Sequence, residues 1–198
     1  MEVRRPELQP PALAVDTDTW RAAFASSPGP DPRSLRVITW NVWFDPFFFD
    51  ERFEALIAIV LGKSPDVACF QEVTPRFAAA VRTSSIIAEA YDVSTNDVAP
   101  YGCMVLVRTE LRASFQQVDF EETMMSRSLL VAELNPIAMD IAWKKGVVGT
   151  VHLESLNSAI IRRLHLAACV RELEGHRNTI LCGDSNFDDF YFGRPSSL

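Results

Sequence analysis

Across 198 residues the chain carries a net charge of −7, with 48% hydrophobic and 23% charged residues. That is an ordinary globular composition, long enough to bury a sizeable core. The acidic balance argues against broad non-specific affinity for nucleic acid, which depends on Lys and Arg neutralising phosphates. A phosphate substrate stays open, because a bound divalent cation changes the local field. The four cysteines, Cys69, Cys103, Cys169 and Cys182, have no close pairing or metal-type spacing. Three lie in apolar runs and read as buried thiols of a reducing compartment. Arg4 and Arg5 are followed by no apolar signal core, and no apolar run is long enough to span a bilayer. An intracellular, soluble protein without a membrane partner is expected.

Residues 1–34 hold six of the twelve prolines and read as a flexible arm ahead of one domain over 35–198. Trp20 and Phe24 offer an alternative there, a short docking helix. From Leu35 onward strands and helices alternate. Val37–Trp40 forms a strand ending in Asn41. Asp50 caps a helix whose Phe53, Leu56, Ile57, Val60 and Leu61 recur on one face, and Gly62 stops it. A strand over 66–70 runs into Gln71 and Glu72. Thr74 caps the next helix, Pro75 takes its first position, and the helix continues to about Ala90. Short strands follow at 91–95, 102–108, 111–119, 127–134, 138–143 and 146–152. Asn157 or Ser158 then caps a helix to Glu174, stopped by Gly175, and a last strand spans 178–183. Strand-helix-strand units at both ends of a β-rich middle predict a mixed α/β layered fold.

Chemistry-bearing groups sit at strand ends, where turns hold polar side chains over a rigid base. Glu72 and Asp184 are hard oxygen donors suited to Mg2+, which takes one or two protein carboxylates and keeps room for water and phosphate. Mn2+ is a possible substitute. His152 directly follows an apolar strand and is either a ligand-facing group or a satisfied core histidine. Asn41 and Asn186 offer amides to a phosphate oxygen or a transition state, although asparagine is also a routine turn residue. His165 shares a face with Ile161 and reads as packing; His176 reads as solvent-exposed. Phe47-Phe48-Phe49 could form an aromatic wall but reads first as core or helix-start packing. Arg162-Arg163 and Lys144-Lys145 read as solvated cations.

In order, Thr39-Trp40-Asn41, Gln71-Glu72-Val73, His152-Leu153-Glu154-Ser155 and Gly183-Asp184-Ser185-Asn186 resemble the motifs of the endonuclease/exonuclease/phosphatase superfamily over about residues 35–190. Ser64-Pro65-Asp66-Val67, Met124-Met125 with Arg127, and Arg163 add similarity to its branch that hydrolyses 5′-tyrosyl DNA adducts. The resemblance implies two packed sheets flanked by helices, α/β overall, with a Mg2+-dependent phosphodiesterase site at one end. It implies that Glu72 and Asn41 bind the metal. Asn41, His152 and Asn186 meet the scissile phosphate, Asp184 orients or deprotonates the attacking water, and Asp45 and Asn157 are further candidates for substrate contact. It also implies a DNA 5′ end as substrate, a monomer, and a nuclear place of action, with the cytoplasm as alternative.

Three departures accompany the resemblance. Trp43 stands where that branch carries a second metal-site acid, with Asp45 nearby as a substitute. Asp188 stands where the branch has a basic residue that meets DNA. The branch's closing Ser-Asp-His motif is expected several tens of residues beyond Asn186, past Leu198, so the sheet is expected to lack its last strands. A phosphoesterase acting on a nucleotide, lipid or inositol phosphate, and a non-catalytic relative, are the alternatives.

Overall fold

Two four-stranded sheets pack face to face, and helices cover the outer side of each, giving a four-layer α/β/β/α sandwich. The computed structural model describes residues 34–135 and 145–187, together with Ala22, Ser26, Pro30 and Asp31. The expected docking helix around Trp20 and the strand over 138–143 lie outside the described residues.

The first sheet holds β1 (Val37–Asn41), β2 (Val67–Val73), β3 (Tyr91–Val93) and β4 (Gly102–Arg108) in the order β1-β2-β4-β3. The second holds β5 (Ala113–Asp119), β6 (Ser128–Leu134), β7 (Gly146–His152) and β8 (Thr179–Asp184) in the order β5-β6-β7-β8. Among the described residues two pairs are parallel, β1 with β2 and β7 with β8. Each is bridged by a helical crossover, as parallel pairing requires. Strands covered on both faces read as near-continuous apolar runs. Val67-Ala68-Cys69-Phe70 follows that rule, with Val67 and Cys69 turned toward the second sheet and Ala68 and Phe70 toward the helices.

Helix α1 (Phe49–Lys63) buries Phe53, Leu56, Ile57, Val60 and Leu61 on the first sheet, the face expected from their spacing. Its ends differ from expectation. Phe48 occupies the left-handed region at the N-cap, and Asp50 lies inside the first turn, paired with Arg76 at 2.6 Å. Gly62 is helical; the stop comes at left-handed Ser64, whose N–H closes onto Val60 and Leu61 ahead of Pro65. Pro65 disfavours the right-handed α conformation for the residue before it, so the helix does not continue through Ser64. The single helix expected over 75–90 divides into α2 (Pro75–Thr83) and α3 (Ser85–Ala90). Ser84 leaves helical geometry and caps the Ile87 N–H, as Thr74 caps Phe77 at the start of α2. Helix α4 (Ala159–Leu173) covers the second sheet through Cys169 and Leu173.

The backbone of Gly183 decides where the site lies. Its φ is +132°, and a Cβ there would sit 2.0 Å from the Val151 carbonyl oxygen. Its lack of a side chain lets β8 approach β7 in the register that sets His152 beside Asp184.

Candidate active site

Parallel pairing within each sheet sends the carboxyl ends of β1 and β2, and of β7 and β8, the same way, and sheet packing brings all four to one end of the sandwich. The two halves are tied below the site by Gln71. Its buried amide donates to Thr39 Oγ1 at 3.1 Å on β1 and to Thr150 Oγ1 at 3.0 Å across the sheet interface. Above it the backbone breaks register between Phe70 and Val73, and Glu72 takes a φ of 59°. Such a bulge re-aims a side chain beside a site. Here it turns the Glu72 carboxylate into the end of the sandwich.

Asn41 lies between the two carboxylates. Its Nδ2 donates to Glu72 Oε1 at 2.9 Å and to Asp184 Oδ2 at 2.8 Å, while its Oδ1 accepts the Trp43 N–H at 2.9 Å. The amide orientation is thereby fixed from both sides. The oxygen expected to reach a metal faces the Trp43 backbone, and the nitrogen holds two like charges together. Asp184 Oδ1 accepts the Asn186 N–H at 3.0 Å, and Asn186 Nδ2 donates to the Leu153 carbonyl at 2.8 Å. Asn186, in the left-handed region at φ 50°, thus binds β8 to the end of β7.

His152 is buried, and its Nε2 lies 3.8 Å from Glu72 Oε1 and 3.7 Å from Asp184 Oδ2. Its Nδ1 lies 3.0 Å from Arg127 Nη1. A guanidinium can only donate, so Nδ1 accepts and the ring proton resides on Nε2, facing the two carboxylates. Burial, helped by the Arg127 charge, holds the imidazole below its ordinary pKa against the pull of Asp184, Glu72 and Glu154. The ring is therefore neutral near pH 7 and presents an N–H donor.

The turn leading into Arg127 is held from beneath, and its Thr123 Oγ1 accepts the Arg127 N–H at 2.8 Å. Glu154, fully buried, accepts through Oε1 the Thr123 hydroxyl at 2.7 Å and the Met124 and Met125 amides at 2.6 and 2.9 Å. Burial alone would raise the pKa of Glu154, but these bonds and the Arg127 charge outweigh it and hold the group ionised. The guanidinium also lies 5.2 Å from the Tyr101 ring centroid.

Glu72, His152 and Asp184 offer ligand atoms within 4.8 Å of one another. Two hard carboxylate oxygens fit a divalent cation of the Mg2+ type, and the Nε2–H tautomer suits His152 to an anionic oxygen rather than to the ion. Two candidates fall outside this cluster. Asp45 Oδ1 accepts the Phe47 N–H at 2.8 Å, closing a turn in its own loop instead of replacing the acid absent at Trp43. Asn157 is exposed, and Ser158 rather than Asn157 holds the N-cap of α4.

Other expectations shift as well. Arg162 is buried, donating to the Glu154 and Leu156 carbonyls at 2.9 Å each, while Arg163 is exposed. Only Phe49 of the phenylalanine triplet packs into the core; Phe47 and Phe48 are exposed. His165 is buried on Phe120 and bonded to the Glu122 carbonyl, and His176 is exposed. Arg127, Glu154 and Tyr101 are the supporting groups that residue-by-residue reading did not assign, because their partners lie far away in the chain.

This geometry and fold have a family. The Endonuclease/Exonuclease/phosphatase family model matches residues 38–197, and the chain belongs to that family. Among its members it is similar to tyrosyl-DNA phosphodiesterase 2 of Rattus norvegicus, 26% identical over 183 residues that cover 89% of this chain and 48% of that protein. The Mus musculus protein of the same name is 26% identical over 184 residues, covering 89% of this chain and 47% of its own length. The chain therefore spans about half the length of the curated relatives it matches. The crystal structure of D. rerio TDP2 complexed with single strand DNA product superposes at a TM-score of 0.64 with 25% identity, covering 78% of this chain and 62% of that one. C. elegans TDP2 shares the fold at a TM-score of 0.67 and 24% identity, over 82% of this chain and 51% of that one. No helix among the described residues is long and apolar enough to cross a membrane.

Proposed function

We propose that the chain is a metal-dependent phosphodiesterase whose substrate is a 5′-phosphodiester of DNA, in first place a 5′-tyrosyl adduct. The observation that carries this reading is the convergence of Asn41, Glu72, His152 and Asp184 from four strand ends, within a family fold whose similar relatives are named for this reaction. Glu72 would hold a Mg2+ ion, with Asp184 within reach of the same position. Bound there, the ion would withdraw charge from a phosphate oxygen as a Lewis acid. His152 Nε2–H donates to a non-bridging phosphate oxygen and so stabilises negative charge as it accumulates. Asn41 keeps Glu72 and Asp184 together despite their mutual repulsion. Asp184 orients water and accepts its proton as the water oxygen bonds to phosphorus and the ester oxygen departs. Asn186 fixes Asp184 for this task. The DNA substrate and a nuclear place of action rest on similarity alone.

A second reading is a phosphoesterase on a nucleotide, lipid or inositol phosphate. Trp43 in place of a second acid and Asp188 in place of a base favour it. Turnover of a 5′-phosphotyrosyl oligonucleotide and of small phosphodiesters, each with Mg2+ and with EDTA, separates the two. Metal-dependent cleavage of the oligonucleotide, abolished by Asp184→Asn, is expected. Cleavage of small diesters alone would replace the DNA reading, and none from folded protein would leave a non-catalytic relative.

A further inference from the structure

The loop between β1 and α1 is rigid and aromatic at once. Arg52, reaching back from α1, donates from Nε to the Phe47 carbonyl at 3.0 Å and from Nη1 to the Val42 and Trp43 carbonyls at 2.7 and 3.1 Å. Its Nη2 takes the Asp45 carbonyl, and the guanidinium lies 4.8 Å over the Trp43 ring. So pinned, the loop holds Trp43 49%, Phe44 48%, Phe47 61% and Phe48 59% exposed. A fixed cluster of solvent-facing aromatic rings beside a site marks a surface made for a ligand.

Phe44 is the member joined to the chemistry. Its N–H donates to Glu72 Oε2 at 3.0 Å, so the ring is anchored one hydrogen bond from the carboxylate assigned to the metal. One face of the ring stacks on Tyr101, with centroids 4.8 Å apart and planes 9° from parallel. Tyr101 in turn lies under Arg127 and 6.4 Å from the His152 ring. A tier of Phe44, Tyr101 and Arg127 thus runs along the catalytic groups, and the outer part of Phe44 is left open.

We infer that Phe44 is a stacking platform for a planar aromatic group borne on the bound phosphate, and that it sets the substrate class of the site. This rests on the phosphodiesterase reading above. A phenol ester and a 5′ nucleobase share the chemistry recognised. A lipid acyl chain does not, because a coplanar tier rewards a flat π-face over an equal apolar volume.

The test is equilibrium binding of phenyl, cyclohexyl and thymidine 5′ phosphate monoesters in the presence of Mg2+, read by isothermal titration so that turnover is not needed. The full chain is expected to bind phenyl phosphate about 3- to 10-fold more tightly than cyclohexyl phosphate, the range of one aromatic stack. That ratio should fall to near one in Phe44→Ala and Phe44→Leu and persist in Phe44→Trp, with thermal melts confirming that each variant is folded. The backbone bond to Glu72 survives all three substitutions, so a change in the ratio reports the ring. If thymidine phosphate shares the preference and its loss, the platform serves a nucleobase; if only phenyl phosphate does, it serves a phenol. Equal phenyl and cyclohexyl affinities, or a ratio unmoved by Phe44→Ala, would overturn the platform alone. If no monoester binds, the phosphate site itself falls, and the platform with it.

Discussion

Removing the side chain of Glu154 tests how the turn that leads into Arg127 is held. The carboxylate is fully buried, and one of its oxygens accepts three donors from the 123–125 turn. Glu154→Ala leaves those donors facing a cavity. Of the three donor residues Met124 is exposed, so water can replace the bond to its amide, whereas Thr123 and Met125 are half-buried. Two bonds to a charged acceptor at about 1.5 kcal/mol each give a loss near 3 kcal/mol. At 2–4 °C per kcal/mol for a chain of this size, the melting temperature should drop by roughly 10 °C. Glu154→Gln keeps an acceptor oxygen in place and should cost only about 1 kcal/mol. The pair is read by urea and thermal unfolding. Because the folded pKa of Glu154 is depressed, its stabilisation is fully present above the unfolded carboxylate pKa and is lost as pH falls through the folded value. The difference between wild type and Glu154→Gln should therefore shrink on acidification below about pH 4.5. Equal losses for Ala and Gln, or a difference that does not vary with pH there, would refute the reasoning.

Further outcomes follow from the same contacts. Arg127→Met removes both the donor at His152 Nδ1 and a repelling charge, so the His152 pKa should rise, as read by NMR titration of the metal-free protein. In the wild type that pKa is depressed, so stability should decline as pH falls below about 6.5, the histidine being buried neutral. Gly183→Ala forces a Cβ against the Val151 carbonyl at a positive φ and should cost about 3 kcal/mol or more in denaturant unfolding, with metal affinity weakened as Asp184 shifts. Thr74→Ala removes the cap on the Phe77 N–H and should cost about 1 kcal/mol without affecting ligand binding.

Much of the site was legible because each contributing strand is an apolar run closed by a polar group: Val37–Trp40 by Asn41, the 67–70 run by Gln71 and Glu72, the 147–151 run by His152, and Thr179–Cys182 by Gly183-Asp184. Strand periodicity and ends are local properties, and they survive folding. The supports were not legible. Arg127 and His152 are separated by 25 positions, Glu154 and Met124 by 30, and Gln71 and Thr150 by 79. Nothing in either partner's neighbourhood announces the other. Arg162 looked solvated because Arg163 follows it, yet adjacent helical residues point about 100° apart, and only one of them faces the loop carbonyls. The helix break at Ser84 and the exposure of Phe47 and Phe48 were obscured by competing local rules. A hydroxyl cluster can sit within a helix or cap one, and a phenylalanine triplet reads as core until Arg52 is seen holding its loop outward. Asp45 looked like a spare metal acid from its spacing, but an aspartate two residues before a free backbone N–H closes an Asx-turn instead.

The four strand ends are proposed to build one divalent-metal site for phosphodiester chemistry. Titrating Mn2+ into the full chain and counting bound ions by electron paramagnetic resonance, in wild type and Glu72→Gln, tests it most directly. One ion per chain in the wild type, with affinity reduced by an order of magnitude or more in Glu72→Gln, is the expected result. No bound ion in folded wild-type protein, or binding indifferent to Glu72→Gln, would contradict it.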